Sequence, residues 1–176
     1  MRIIAGQLGG RQFSAPHGHR TRPMSDKVRG ALFNSLGDVN GLTVLDAFAG
    51  SGALAFEAIS RGALKAVAID SDRSAQMTIA VNIKQLGLEK QVKLIKAGAG
   101  AWLSTSAKQF DIVLCDPPYD DPQPNLLLRL AERVNPGGVI VFSLPPKMEV
   151  QLPSKDELLS EKAYGDASLR FYRKTG

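Results

Sequence analysis

From residue 42 onward the chain alternates short apolar runs with stretches of helical spacing, and few folds accept that order. Strands are expected at 42–46, 65–70, 91–96, 110–115 and 139–143, with helices at 52–60, 72–86, 99–106 and 125–134. Repeated strand–helix units build a parallel sheet with helices on both faces, because each right-handed crossover lays its helix back against the sheet. The tail differs. Candidate strands at 157–163 and 168–173 flank Tyr164-Gly-Asp-Ala167, so an antiparallel hairpin is expected at the sheet edge. Ahead of the alternation, Gly9-Gly10 and Pro16-His-Gly-His-Arg20 split short apolar pieces into a small hairpin or arm followed by a loop. Ser25 then suits an N-cap, Val28, Ala31, Leu32 and Leu36 keep helical spacing, and Gly37 ends the helix. The expected organisation is an arm over 1–24 and an α/β domain over 25–176.

Charge is distributed unevenly over this plan. Residues 1–30 carry six basic groups (Arg2, Arg11, Arg20, Arg22, Lys27 and Arg29) against the single acid Asp26, whereas residues 31–176 carry sixteen of each sign. The whole excess of +5 therefore sits in the first thirty residues. Such a cluster is the footprint of a polyanion-binding face, and these six side chains are the expected nucleic-acid contacts. The apolar runs are too short to span a bilayer, and Met1-Arg-Ile-Ile-Ala-Gly6 offers no secretory core, so a cytoplasmic enzyme is expected. The lone Cys115 excludes an internal disulfide framework and a cysteine-rich metal site, and no metal is expected.

The first strand runs into Asp46-Ala-Phe-Ala-Gly-Ser-Gly-Ala-Leu-Ala55. Gly50 and Gly52 let the backbone approach a ligand at the N-terminus of the following helix, as in nucleotide-binding turns. Asp70 closes the second strand, where an acid grips ribose hydroxyls. Asp46 discriminates between ligands. A dinucleotide would lay its pyrophosphate over this loop, and a carboxylate there would oppose it. S-adenosylmethionine has no phosphate and offers an ammonium and a sulfonium, which a carboxylate suits.

The fourth expected strand ends in Asp116-Pro-Pro-Tyr119. A turn needs one proline at most, so two prolines between a carboxylate and a tyrosine call for another reason. If the first and fourth strands are neighbours, these residues emerge beside the cofactor loop. An exocyclic amine on a nucleobase is a poor nucleophile because its lone pair is delocalised into the ring. The Asp116 carboxylate and the Pro117 carbonyl can accept its hydrogen bonds and stabilise charge developing on nitrogen. Pro117 and Pro118 hold these acceptors rigid, and Tyr119 offers a face to a splayed-out base.

These residues resemble motif IV of the amine-directed nucleic-acid methyltransferases, and Asp46 to Gly52 resembles their cofactor motif I. Two longer stretches narrow the likeness. Arg22-Pro-Met-Ser-Asp-Lys-Val-Arg-Gly-Ala-Leu-Phe-Asn34 is similar to RPTxxxVREALFN, and residues 48–63 are similar to FAGSGALGLEALSRGA. Together they resemble the bacterial 16S ribosomal RNA guanine-N2 methyltransferases, the small-subunit methyltransferase D family, over nearly the whole chain. The resemblance implies a seven-stranded, mostly parallel Rossmann-like sheet, S-adenosylmethionine as cofactor, and methylation of one guanine in small-subunit rRNA, free or within a 30S particle, by a monomer. It implies a cofactor-binding set of Asp46, Phe48, Ala49, Gly50, Ser51, Gly52, Asp70, Ser71, Gly98 and Ala99, and a catalytic set of Asp116, Pro117, Pro118 and Tyr119. Three positions depart from the pattern: Met24 replaces a threonine, Gly30 a glutamate, and Gly98 an aspartate that meets the adenine amino group. Backbone groups near Gly98 and Ala99 are then expected to hold the adenine.

Other residues invite chemistry but read more simply. Cys115 adjoins Asp116 on a strand, so the two side chains face opposite ways and the thiol is expected in the core. His17 and His19 lack a third metal ligand, and Trp102 belongs to the apolar face of a short helix. Two rival functions share parts of the pattern. An adenine-amine methyltransferase of DNA or RNA would also carry Asp116 to Tyr119, and a non-catalytic nucleotide- or RNA-binding protein would need neither Asp46 nor that stretch.

Overall fold

A computed structural model describes residues 1–18, 23–153 and 155–176. Helix α1 (Asp26–Leu36) precedes the alternation of β1 (Thr43–Asp46), α2 (Ala53–Ser60), β2 (Lys65–Asp70), α3 (Arg73–Gln85), β3 (Val92–Lys96), α4 (Ala99–Thr105), β4 (Phe110–Cys115), α5 (Pro124–Ala131) and β5 (Val134–Leu144), and β6 (Glu157–Tyr164) and β7 (Ala167–Arg173) close the chain. The seven strands form one sheet in the order β3-β2-β1-β4-β5-β7-β6. The strands from β3 to β5 pair in parallel, and β7 pairs antiparallel with both β5 and β6. The expected seven-stranded, mostly parallel α/β sheet with a C-terminal hairpin is therefore the observed one. The order reverses between β1 and β4, which places the carboxyl ends of those two strands side by side.

Alternation along the strands builds two cores. Val44, Ala66, Ala68, Ile112, Leu114 and Val141 face a layer containing Leu32 and Phe33 of α1, all of α2's apolar residues, and Ile79 and Ile83 of α3. Leu45, Val67, Ile69, Val113, Cys115 and Phe142 face the other way, against Trp102 and Leu103 of α4 and Leu127 and Leu130 of α5. Cys115 is thus a packed thiol, as the strand parity predicts.

Two elements depart from the expected bounds. The fifth strand begins at Val134 because Val134 pairs with Phe110 before a register shift carries the ladder to Ile112 and Val139. The Pro136-Gly137-Gly138 irregularity is thereby absorbed within the strand, and α5 ends at Ala131. Ser25 caps α1 by accepting the Val28 amide at 3.2 Å, and Gly37 ends it at φ +77°.

The N-terminal residues form a hairpin-like arm, with Arg2 bridged antiparallel to Gln12. Its apolar side chains Ile3 and Phe13 join the α1–α3 core, Phe13 edge-on to Phe56 at 5.4 Å. All eight residues of α2 are buried, since the sheet covers one side and the arm the other. The approach is close: Gly6, at φ +85°, leaves no room for a Cβ, which would sit 2.0 Å from the Ser60 carbonyl oxygen.

Candidate active site

The carboxyl ends of β3, β2, β1 and β4 lie in a row and bring most of the expected residues together. Asp46 ends β1 with Ala68 and Leu114 as its lateral neighbours. The turn after it is stitched to both flanking strands: Ala47 N–H donates to the Leu114 carbonyl at 3.1 Å and Ala49 N–H to the Ile69 carbonyl at 2.8 Å. Gly50, at φ +60°, donates its N–H to Asp70 Oδ2 at 2.7 Å, and Asp72 N–H donates to Asp70 Oδ1 at 2.8 Å. Asp70 is therefore fixed by two amides while each oxygen retains a lone pair for a further donor. Phe48 is half-buried, Ala49 and Ser51 are buried, and Ser71 is exposed just beyond β2. Gly98 caps α4 with Ser71 Cβ 3.8 Å from where its own Cβ would lie, and Ala99 is buried behind it.

Gly52 carries a second constraint beside the expected one. It sits at φ +86°, and a Cβ there would lie 2.6 Å from the Phe56 ring. The missing side chain makes room for a core aromatic, so this glycine also serves the loop's own fold. Of the three departures from the family pattern, Met24 packs partly buried against the α1–α3 core, and Gly30 has only Ile4 Cδ1, at 3.8 Å, near its open Cβ position.

The electrostatics centre on Asp46. Its side chain is fully buried, and neither oxygen finds a hydrogen-bond partner among the described residues. Burial, then the charges of Asp116 and Asp70, push its carboxyl up to about 8. The Ala55 and Phe48 amides face it from outside good hydrogen-bond geometry and only moderate that rise. Asp116, half-buried at the mouth, is raised to about 7 by desolvation, with the Ser143 hydroxyl favouring the anion. Burial also raises Asp70, against the two amides that it accepts. A buried carboxylate without a partner is costly unless a cation completes it. Three carboxyls in one cleft thus fit a cationic ligand, which restores the charge that burial suppresses. The Cys115 thiol is driven well up by burial and by Asp46 and Asp116, which makes it inert as a nucleophile.

Beside this cleft, Pro117 is buried, Pro118 exposed and Tyr119 half-buried, and the Tyr119 hydroxyl lies 3.0 Å from the Ser143 hydroxyl. Among the described residues no group of three histidine, cysteine or acidic side chains could hold a metal ion.

The basic set divides. Arg2, Arg11 and Lys27 are exposed; Arg2 pairs with Asp26 at 3.0 Å, and Arg11 donates to the Gln85 carbonyl at 3.2 Å. Arg20, Arg22 and His19 lie outside the described residues. Arg29 is a correction: it is 1% exposed, and its guanidinium donates to the Arg2 carbonyl and to Asp26 and lies 3.6 Å from Glu57. It shares a helical face with Leu32 and Phe33, so it holds the arm to α1 and cannot meet a phosphate.

Two residues outside the expected set do comparable work. Glu57, fully buried in α2, accepts the Ile4 and Ala5 amides at 2.8 and 3.1 Å and Arg61 Nε at 2.8 Å. Asn82, fully buried in α3, exchanges two hydrogen bonds with Ser14 of the arm and donates to the Ser51 carbonyl in the glycine loop at 3.2 Å. Each breaks an apolar helical face, which was a readable signal. Their partners in the arm and the glycine loop, more than thirty residues away, were not.

A sheet with this strand order, a glycine turn after β1, an acid ending β2 and Asp-Pro-Pro-Tyr after β4 define a class I, Rossmann-like methyltransferase. The conserved hypothetical protein 95 family matches residues 1–173, and the chain belongs to that family. Its relatives include the ribosomal RNA small subunit methyltransferase D of Escherichia coli K12, 32% identical over 99% of this chain and 90% of that protein. An Escherichia coli structure described as a methyltransferase superposes with a TM-score of 0.89 at 30% identity, over 100% of this chain and 98% of the other. A methyltransferase crystallised with SAH superposes at 0.69 over 84% of this chain and 48% of its own, and at 17% identity that likeness concerns the fold.

Proposed function

We propose that this protein transfers a methyl group from S-adenosylmethionine to the exocyclic N2 amine of a guanine in small-subunit ribosomal RNA. The observation that carries the reading is the adjacency of Asp46 and Asp116 at the reversal of strand order, one a buried carboxyl with no hydrogen-bond partner among the described residues and the other at the cleft mouth. The cofactor supplies an electrophilic methyl on a sulfonium. Asp46 meets its cationic end, Asp70 its ribose hydroxyls, and the turn from Phe48 to Gly52 the space between. The backbone near Gly98 and Ala99, with Ser71 opposite, borders the adenine. Asp116 and the Pro117 carbonyl accept the two hydrogens of the guanine amine, orient its lone pair and stabilise the charge that grows on nitrogen. Pro118 stiffens this turn, and Tyr119 gives the flipped base a face to stack on. Arg2, Arg11 and Lys27, with Arg20 and Arg22, grip phosphates from the arm side.

The names of the relatives support small-subunit rRNA as substrate. Labelled methyl transfer to small subunits lacking the modification, followed by nucleoside analysis, tests the reading. N2-methylguanosine is the expected product. Methyladenosine would replace this reading with the adenine-amine one, and no transfer from a protein that binds the cofactor would leave the RNA assignment without support.

A further inference from the structure

Strand β5 is apolar from Val139 to Leu144 except for one hydroxyl, that of Ser143, which is 2% exposed. Register decides what it meets. Cys115 pairs with Phe142, so the next residues along β4 and β5, Asp116 and Ser143, are neighbours across the ladder. By strand parity both lie on the face opposite Cys115 and Phe142, the same face as Asp46. From the turn after β4, the Tyr119 hydroxyl comes back to within 3.0 Å of Ser143 Oγ.

We infer that Ser143 is a positioning residue of the acceptor site, a buried hydroxyl that joins the Tyr119 phenol to the Asp116 carboxylate and sets the orientation of both. The inference rests on the reading of Asp116 and Tyr119 as the base-binding pair. A hydroxyl has one proton and two lone pairs, and an ionised carboxylate only accepts. With Asp116 ionised the chain has one direction: Tyr119 O–H donates to Ser143, and Ser143 O–H donates to Asp116. One oxygen of Asp116 is thereby held against β5, leaving the other for the amine, and the Tyr119 ring is fixed at its far end so that its face is presented to the base. The Tyr119 hydroxyl lies 3.0 Å from Ser143 Oγ; the link to Asp116 follows from the register and is the one that matters for charge, since a donor there favours the anion against desolvation. The other ionisable groups around Asp116 are Asp46 from β1, Tyr119 from its own turn and Cys115 on the opposite face.

Ser143→Ala removes the link without adding bulk, and Ser143→Thr keeps the hydroxyl. The decisive measurement needs no RNA: carboxyl carbon titration of Asp116 by NMR in the cofactor-free protein, its resonance assigned by loss in Asp116→Asn. Ser143→Ala is expected to move the Asp116 midpoint to higher pH, and Ser143→Thr to return it toward the wild-type value. In methyl transfer, Ser143→Ala is expected to lower kcat about tenfold to a hundredfold, the range for losing a hydrogen bond to a charged group. The acid limb of its pH profile should move with the titration, and its cofactor affinity should stay within about twofold of wild type. An unmoved Asp116 titration in Ser143→Ala overturns the inference, as does a loss of cofactor affinity equal to the loss of rate. If the wild-type protein methylates no RNA, the functional reading fails while the titration still decides whether Ser143 governs Asp116.

Discussion

The Asp46 carboxyl of the cofactor-free protein should hold its proton at neutral pH, and binding of the cofactor should expel it. The carboxyl is raised from 3.8 to about 8, chiefly by burial. At about 1.4 kcal/mol per unit, ionising it within the fold costs on the order of 6 kcal/mol. The sign follows from linkage. The native state holds this proton more tightly than the unfolded chain, so the stability that it contributes is full below pH about 4 and is lost as pH rises toward about 8. A cation seated against the carboxylate reverses the preference, and apparent affinity should climb by up to about tenfold per pH unit between 6 and 8, then level off. Titration calorimetry with S-adenosylmethionine at pH 7, in two buffers of different ionisation enthalpy, should report release of close to one proton. Asp46→Asn should remove that release, flatten the fall in thermal stability toward pH 8 and weaken binding at pH 8 by at least about tenfold. Wild-type affinity in Asp46→Asn, or a wild-type affinity flat from pH 6 to 8 with no proton released, would refute the assignment of Asp46 to the cofactor's cationic end.

Three further perturbations separate the parts of the molecule. Asp116→Ala should keep its cofactor affinity while single-turnover methyl transfer falls about a hundredfold or more, as removal of transition-state charge stabilisation does elsewhere; near-normal transfer would exclude this role. Glu57→Ala leaves the buried Arg29 without its inner partner and frees the Ile4 and Ala5 amides, so urea denaturation should show a loss of about 3–5 kcal/mol; a loss under 1 kcal/mol would mean that the arm is held by its apolar contacts alone. Neutralising Arg11 together with Arg20 should weaken RNA binding and lower the log–log salt slope by up to about one unit per lost phosphate contact; an unchanged slope would make the basic arm a solvated face.

Much of the architecture is written locally. Periodicities of two and 3.6 report which face of a strand or helix is apolar, so the order of strands and helices, the caps at Ser25 and Gly37 and the terminal hairpin could be read without knowing what packs where. Asp46, Asp70 and Asp116 were legible for a related reason. Each ends an apolar strand, and a carboxylate at that position is unfavourable unless something completes it.

What depended on the fold was every pairing between distant stretches. Arg29 counted as surface charge from composition, yet it lies on the Leu32–Phe33 face of α1, and the arm closes over it. Gly52 has a packing requirement that its loop does not announce: the Phe56 ring fills the space of its absent Cβ. Val134 became a strand residue only because Phe110 stood opposite to pair with it. Ser143 was one hydroxyl in an apolar strand; the register of β4 against β5 placed it beside Asp116, and the turn after β4 brought Tyr119 to it. A residue's burial and charge state depend on atoms contributed from elsewhere in the chain, and periodicity along one segment carries no information about those atoms.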